Sequence, residues 1–131
     1  MISELCIWDM ATGAARVLMS HEGHIEAPNW HPDGYLIVNG DGLIYRVPLD
    51  SPRLKRIDTG FAIGCNNDHG VSPDGTLLAI SDNSQTGQSC IYVLPIGGGI
   101  PRRVTEHTPS WWHAWTPDGQ RMVYPGARGD R

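Results

Sequence analysis

The sequence predicts an all-β protein. It reads as a β-propeller of four-stranded antiparallel blades, with about three blade-equivalents in 131 residues, half of a six-bladed propeller. Three observations carry this. The tetrapeptide Ser72-Pro73-Asp74-Gly75 recurs as His31-Pro32-Asp33-Gly34 and Thr116-Pro117-Asp118-Gly119, spaced by 41 and then 44 residues, and a fixed period of that length marks a repeat architecture. Strand-forming residues flank every copy. A third and a fourth strand-like segment then follow in both complete repeats, which gives the four strands of a blade.

The tetrapeptide has a physical task. Proline presets φ at the first corner of a turn, aspartate bonds the backbone two residues on, and glycine takes the closing positive φ. Trp30, Val71 and Trp115 precede the turns. Tyr35-Leu36-Ile37-Val38, Leu77-Leu78-Ala79-Ile80 and Met122-Val123-Tyr124 follow them, so each reads as a hairpin. After a further turn comes a third strand, Leu43-Ile44-Tyr45-Arg46-Val47 or Cys90-Ile91-Tyr92-Val93-Leu94. A short fourth strand follows, Lys55-Arg56-Ile57 or Arg103-Val104-Thr105. Near the start, Ile7-Trp8 aligns with Ile44-Tyr45 and Ile91-Tyr92, so residues 4–10 read as a third strand and 15–19 as a fourth.

The chain thus divides as one propeller segment over 1–131. Residues 1–20 give the outer strands of a blade, 25–58 one full blade, 66–105 a second, and 110–125 the inner strands of a third. This is a permutation by half a blade. Propellers close with four to eight blades, and open ends leave bare sheet edges. Self-association is therefore one expectation: two chains close a six-bladed ring, each completing the other's last blade. The competing expectation is a piece of a longer protein.

Composition narrows the class. Apolar residues make up 40% and charged residues 18%, which fits a globular chain. The net charge of -4 offers no basic stripe, so no nucleic-acid partner is expected. No apolar run reaches the ~18 residues of a membrane span, and no membrane insertion is expected. Met1-Ile2-Ser3-Glu4 lacks the basic-then-apolar pattern of a signal peptide. The compartment is read as cytoplasmic by default, and periplasmic for a fragment of a longer precursor. Cys6, Cys65 and Cys90 have no metal-site spacing and read as reduced strand or loop residues.

Two repeats place an aromatic before the turn, in Asn29-Trp30-His31-Pro32-Asp33-Gly34 and Ala114-Trp115-Thr116-Pro117-Asp118-Gly119. With Ile-Tyr on the third strand, this resembles the WD40-like (PD40) repeat of the TolB family, over nearly the whole chain. The first repeat also resembles a WD40 repeat proper, through Ile7-Trp8-Asp9, Thr12-Gly13 and Gly23-His24. Later repeats carry Tyr45-Arg46 and Tyr92-Val93 instead of Trp-Asp, which favours the TolB-like reading. The resemblance implies a six-bladed propeller that binds other proteins. Similar blades occur in oligogalacturonate lyases and beside prolyl-oligopeptidase-like catalytic domains.

In a propeller the innermost strands line the central channel. Aligning the turns puts Pro28, His69 and His113 at one level, Ala27, Asp68 and Trp112 at the next, and Glu26, Asn67 and Trp111 after them. Glu26, Asn67, Asp68, His69, Trp111, Trp112 and His113 are thus the expected ligand-binding set. His69 and His113, with the carboxylates, could hold a divalent metal ion; the plainer reading is a water-filled polar channel. Trp111 and Trp112 could stack a sugar or peptide, although alternation along a strand sends one of them into the core. The expected function is a noncatalytic binding and protein-interaction scaffold, with no cofactor or a divalent ion. The alternative is a metal-assisted, oligogalacturonate-lyase-like carbohydrate-active enzyme using the channel histidines. No Gly-x-Ser-x-Gly elbow is present. His21-Glu22-Gly23-His24 has the wrong spacing for a zinc protease and reads as an inter-blade loop. Gly97-Gly98-Gly99 is a hairpin loop, and Arg128-Gly129-Asp130 is a chance tripeptide.

Overall fold

The structure is a computed structural model that describes residues 1–129. Among them there are twelve strands and no helix, and hence no helix long and apolar enough to cross a membrane. β1 (Ile2–Trp8) and β2 (Ala15–Glu22) form a two-stranded sheet. β3 (Glu26–His31), β4 (Tyr35–Gly40), β5 (Leu43–Pro48) and β6 (Lys55–Arg56) form a four-stranded antiparallel sheet in chain order. β7 (Gly70–Val71), β8 (Leu77–Asp82), β9 (Cys90–Pro95) and β10 (Arg102–Arg103) form a second. β11 (Ala114–Trp115) and β12 (Met122–Val123) form the last hairpin. This is the all-β, four-stranded propeller architecture that the turn period implies.

Each full sheet is apolar on both faces because it is packed on both sides. One core joins the two full sheets: Tyr35, Ile37 and Ile44 meet Leu78, Ile80, Tyr92 and Leu94. A second joins the β1–β2 hairpin to the first full sheet through Leu5, Leu36, Val38 and Val47. A third joins the second full sheet to β11–β12 through Ala79, Ile91, Val93 and Trp112. Strand alternation is what divides each sheet's residues between two neighbours.

The three turns differ in a way the tetrapeptide conceals. In the second, Ser72 and Leu77 face each other across a four-residue loop, with the Leu77 backbone N–H donating to Ser72 Oγ at 2.9 Å. The Ser72 hydroxyl and the Thr76 N–H both donate to Asp74 Oδ1. The third turn repeats this with Thr116, Asp118 and Gln120. The first carries His31 in place of the hydroxyl residue, pairs His31 directly with Tyr35, and has a three-residue loop.

Other boundaries shift. The fourth strand of the second sheet is Arg102–Arg103 rather than 103–105. Thr105 is buried instead, its hydroxyl accepting the Ile91 N–H at 3.0 Å. β2 runs to Glu22, so His21 and Glu22 lie in a strand and not in an inter-blade loop. β1 covers Ile2–Trp8, because the Asp9 carboxylate accepts the Ala11 and Thr12 N–H groups and turns the chain there. Of the Arg-Gly-Asp tripeptide, Asp130 lies outside the described residues.

Candidate functional site

The candidate site starts at an irregularity in the first sheet. Glu26 pairs with Asn39 and Asn29 with Ile37, so one residue is extra between them. Ala27 takes up the difference at φ 54°. A left-handed Ala carries about 1 kcal/mol or more of strain, and a bulge of this kind re-aims its neighbours. Here it leaves Glu26 Oε1 accepting from the Asn39 amide at 3.2 Å and Oε2 at 3.0 Å from His24 Nε2. These two bonds hold the Glu26 carboxyl below its ordinary range, the Asn39 bond contributing more.

Asn39 connects this carboxylate to His69. Its amide nitrogen is committed to Glu26, so its oxygen faces His69 Nε2 at 2.9 Å. Burial lowers the His69 pKa to about 4, against a weaker opposing pull from Glu26. The ring is therefore neutral at pH 7 and has one N–H, which Nε2 donates to Asn39. Nδ1 lies 2.6 Å from Asn29 Oδ1. A neutral ring has no second N–H to give, so the Asn29 amide must turn to present its N–H to Nδ1. The relay runs Asn29, His69, Asn39, Glu26, His24 and crosses from one blade to the next.

The structure places the two histidines of the metal expectation in different surroundings. His69 is only 2% exposed, and both its ring nitrogens lie within hydrogen-bond distance of the Asn29 and Asn39 side chains. His113 occupies the equivalent repeat position but is exposed. Among the described residues, no group of three or more His, Cys, Asp or Glu side chains is placed to hold a metal. The repeat aligns backbones; it does not align environments.

The remaining expected residues divide the same way. Trp112 is buried against Ala79, Ile91 and Val93, and its backbone N–H donates to Ser81 Oγ at 2.9 Å. Trp111 is half-buried and Asn67 exposed. Asp68 is half-buried, its own N–H donating to Asn66 Oδ1 at 2.9 Å. Burial raises the Asp68 carboxyl pKa; His113 lowers it and Glu26 raises it further. Asp68 therefore lies within electrostatic reach of both Glu26 and His113. His24, Asn29 and Asn39 were not among the expected residues. Asn39 had a signal: it ends the otherwise apolar run Tyr35-Leu36-Ile37-Val38. The recess of about 320 Å³ between the second and third turns is lined by Pro73, Asp74, Pro117 and Asp118 and by none of these site residues.

Four-stranded sheets joined through apolar faces, with a polar set on and just before the innermost strands, define a β-propeller segment, and its likeness is to TolB-type propellers. A solved TolB candidate from Agrobacterium tumefaciens superposes with a TM-score of 0.92 at 49% identity, over 97% of this chain and 46% of that one. TolB from Acinetobacter baumannii superposes at 0.73 with 22% identity, over 92% and 31%, a likeness of fold alone. An uncharacterized protein of Agrobacterium fabrum, Atu1656, is 50% identical over 130 residues, 98% of this chain and 44% of that protein. No protein-family model matches the chain. The chain spans under half the length of each of these relatives.

Proposed function

We propose that the chain is part of a noncatalytic TolB-like (PD40-type) propeller that acts as a protein-interaction scaffold and takes its ligand at the channel mouth. Glu26, Asn67, Asp68, Trp111 and His113 make contact there, while His69 and Trp112 hold the wall behind them. One observation carries this reading. The Asp68 carboxylate is partly desolvated beside Glu26 and has no hydrogen-bond donor of its own among the described residues. A carboxylate in that setting favours a cationic partner, and a Lys or Arg side chain of another protein supplies a charge-assisted bond. Half-buried Trp111 adds an aromatic surface for the aliphatic stem of such a residue.

The test is amide chemical-shift mapping with a short arginine-bearing peptide, at low salt and again at 0.5 M salt. Shifts should centre on residues 26, 67, 68 and 113. Asp68→Asn should weaken binding at least tenfold while leaving the fold intact. Shifts centred on the Pro73 and Pro117 turns, or equal affinity in Asp68→Asn, would overturn the reading.

A further inference from the structure

The three Pro-Asp-Gly turns lie at the end of the inner strands away from Glu26, since β3 runs from Glu26 to His31 at the first turn. Successive turns stack in the same way. A Cβ added at Gly75 would lie 3.7 Å from the Pro32 ring, and one added at Gly119 would lie 3.6 Å from the Pro73 ring. One thing differs between the two pairs. In the first, the His31 ring also lies against Gly75, 2.9 to 3.2 Å from that Cβ position. In the second, among the described residues beyond the adjoining chain, nothing but Pro73 comes within 4 Å of the Gly119 Cβ position.

The first pair shows what such a slot holds. The buried His31 ring stacks on Tyr35 at 4.1 Å and 10°, and its Nε2 donates to the Gly75 carbonyl at 2.8 Å. Each of these groups has a counterpart in the second pair. Leu77 stands where Tyr35 stands, since both face the proline that ends the third strand, Pro95 and Pro48. Gly119 stands where Gly75 stands. Ser72 stands where His31 stands, but its hydroxyl is folded into its own turn, donating to Asp74 Oδ1 at 2.7 Å and accepting the Leu77 N–H at 2.9 Å. It does not cross to the next turn. The space is left as the recess of about 320 Å³ that Ser72, Leu77 and Gly119 help to line. Among the described residues, no donor reaches the Gly119 carbonyl. In the first pair both sheets carry all four strands and His31 still sits between their turns. The turns alone therefore set the slot, and the outer strands do not fill it.

We propose that this recess binds the imidazole of a histidine side chain presented by a partner protein. The ring lies on Leu77 as His31 lies on Tyr35, and one ring N–H donates to the Gly119 carbonyl. The lining suits that ring. It combines the aliphatic Leu77 and the rings of Pro73 and Pro117 with a neutral acceptor, the pattern of a small apolar site with a few placed polar groups. The Asp74 and Asp118 Oδ1 atoms are already engaged by donors of their own turns. This site goes beyond the channel-mouth reading and lies at the other end of the inner strands, so either can fail without the other.

The test is amide chemical-shift mapping with imidazole, set against 1-methylimidazole at a pH where both are neutral and only imidazole carries an N–H. Imidazole should give saturable shifts centred on Ser72, Leu77, Gly119 and Gln120. The methylated ring should bind roughly two- to tenfold more weakly, the worth of one hydrogen bond. Ser72→His should seat a ring from within, as His31 does, and abolish the shifts. Should that variant lose its fold by circular dichroism, Leu77→Tyr takes its place: it restores the stacking partner of the first slot and should tighten imidazole binding roughly two- to tenfold. Shifts that do not saturate or that centre on residues 26, 67 and 68 overturn the proposal. So do equal binding of the two rings, binding that persists in a folded Ser72→His, or no gain in Leu77→Tyr. An arginine peptide that still mapped to Asp68 would then leave the channel-mouth reading standing and remove the turn site alone.

Discussion

The interface between the two full sheets and the interface between the second sheet and the β11–β12 hairpin are made from the same repeat, yet they are fastened differently. The first is a broad aliphatic core held at one end by a polar clip, His69 between Asn29 and Asn39. A second clip sits at the turns, where His31 Nε2 donates to the Gly75 carbonyl at 2.8 Å and Nδ1 accepts the Asp33 N–H. Tyr35 stacks on His31 at 4.1 Å, and the Arg46 guanidinium covers Tyr35. Among the described residues, the second interface has no such relay. The Trp112 ring fills the space beside Gly70, and Trp115 Nε1 donates to the Gly70 carbonyl at 3.2 Å. Asn29 and Gly70 both stand three residues before their turn proline. One reaches the next blade with an amide; the other makes room for an indole. What the repeat conserves is the backbone path, and the fastening is chosen locally.

The largest expected effect lies in the aliphatic core of the first interface. Ile80 is fully buried between the sheets, and Ile80→Ala should cost about 2–5 kcal/mol. Denaturant unfolding should show a lower midpoint with an unchanged slope. A loss confined to one end of the chain in hydrogen exchange, with the two full sheets still protected, would break the claim that this interface holds the molecule together.

The polar clip should appear in the pH dependence. The unfolded chain protonates His69 near pH 6.5, whereas the folded chain does so only near pH 4. Between these values the unfolded state binds more protons, so stability falls as the pH drops from 6.5 to 4. The loss is on the order of 3 kcal/mol, about 1.4 kcal/mol per pH unit. Asp68 opposes this at the acid end, since its raised pKa makes the folded state the better proton binder there. Glu26, held low by Asn39 and His24, adds its loss only as the pH falls through the carboxylate range. His69→Gln should flatten the curve between pH 6.5 and 5. Equal slopes in both proteins would move the titration to another group.

How much of this could be read from the chain depends on range. The hairpins were legible because Pro, Asp and Gly act on their own backbone within four residues. The third strands were legible because Ile44-Tyr45 and Ile91-Tyr92 alternate in register. Less was visible where side chains decide. Replacing Ser72 or Thr116 by His31 shortens a loop, since imidazole does not reproduce the hydroxyl–Asp contact that spans the four-residue form. The inner strand of the second full sheet shrinks to Gly70–Val71, as Asn66 turns its side chain onto the Asp68 N–H and interrupts the ladder. The burial of His69 was hidden altogether. It is set by Asn39, thirty residues earlier on another blade, and no local pattern distinguishes it from exposed His113.

The smallest of these effects tests the aromatic interface by itself. A Cβ at Gly70 would lie 2.0 Å from the Trp112 ring, and two further ring carbons lie within 2.7 Å. Gly70→Ala must therefore displace an indole packed on Ala79, Ile91 and Val93. Overpacking of this kind costs about 1–3 kcal/mol. Because the hairpin is only partly covered, the strain should be relieved by its lifting away, with the two full sheets undisturbed. Hydrogen exchange should quicken at Trp112, Ala114 and Trp115 and stay unchanged at Leu78 and Ile80. If exchange rose equally in both places, the two interfaces would be one cooperative unit, and the distinction between polar clip and aromatic wedge would have no energetic meaning.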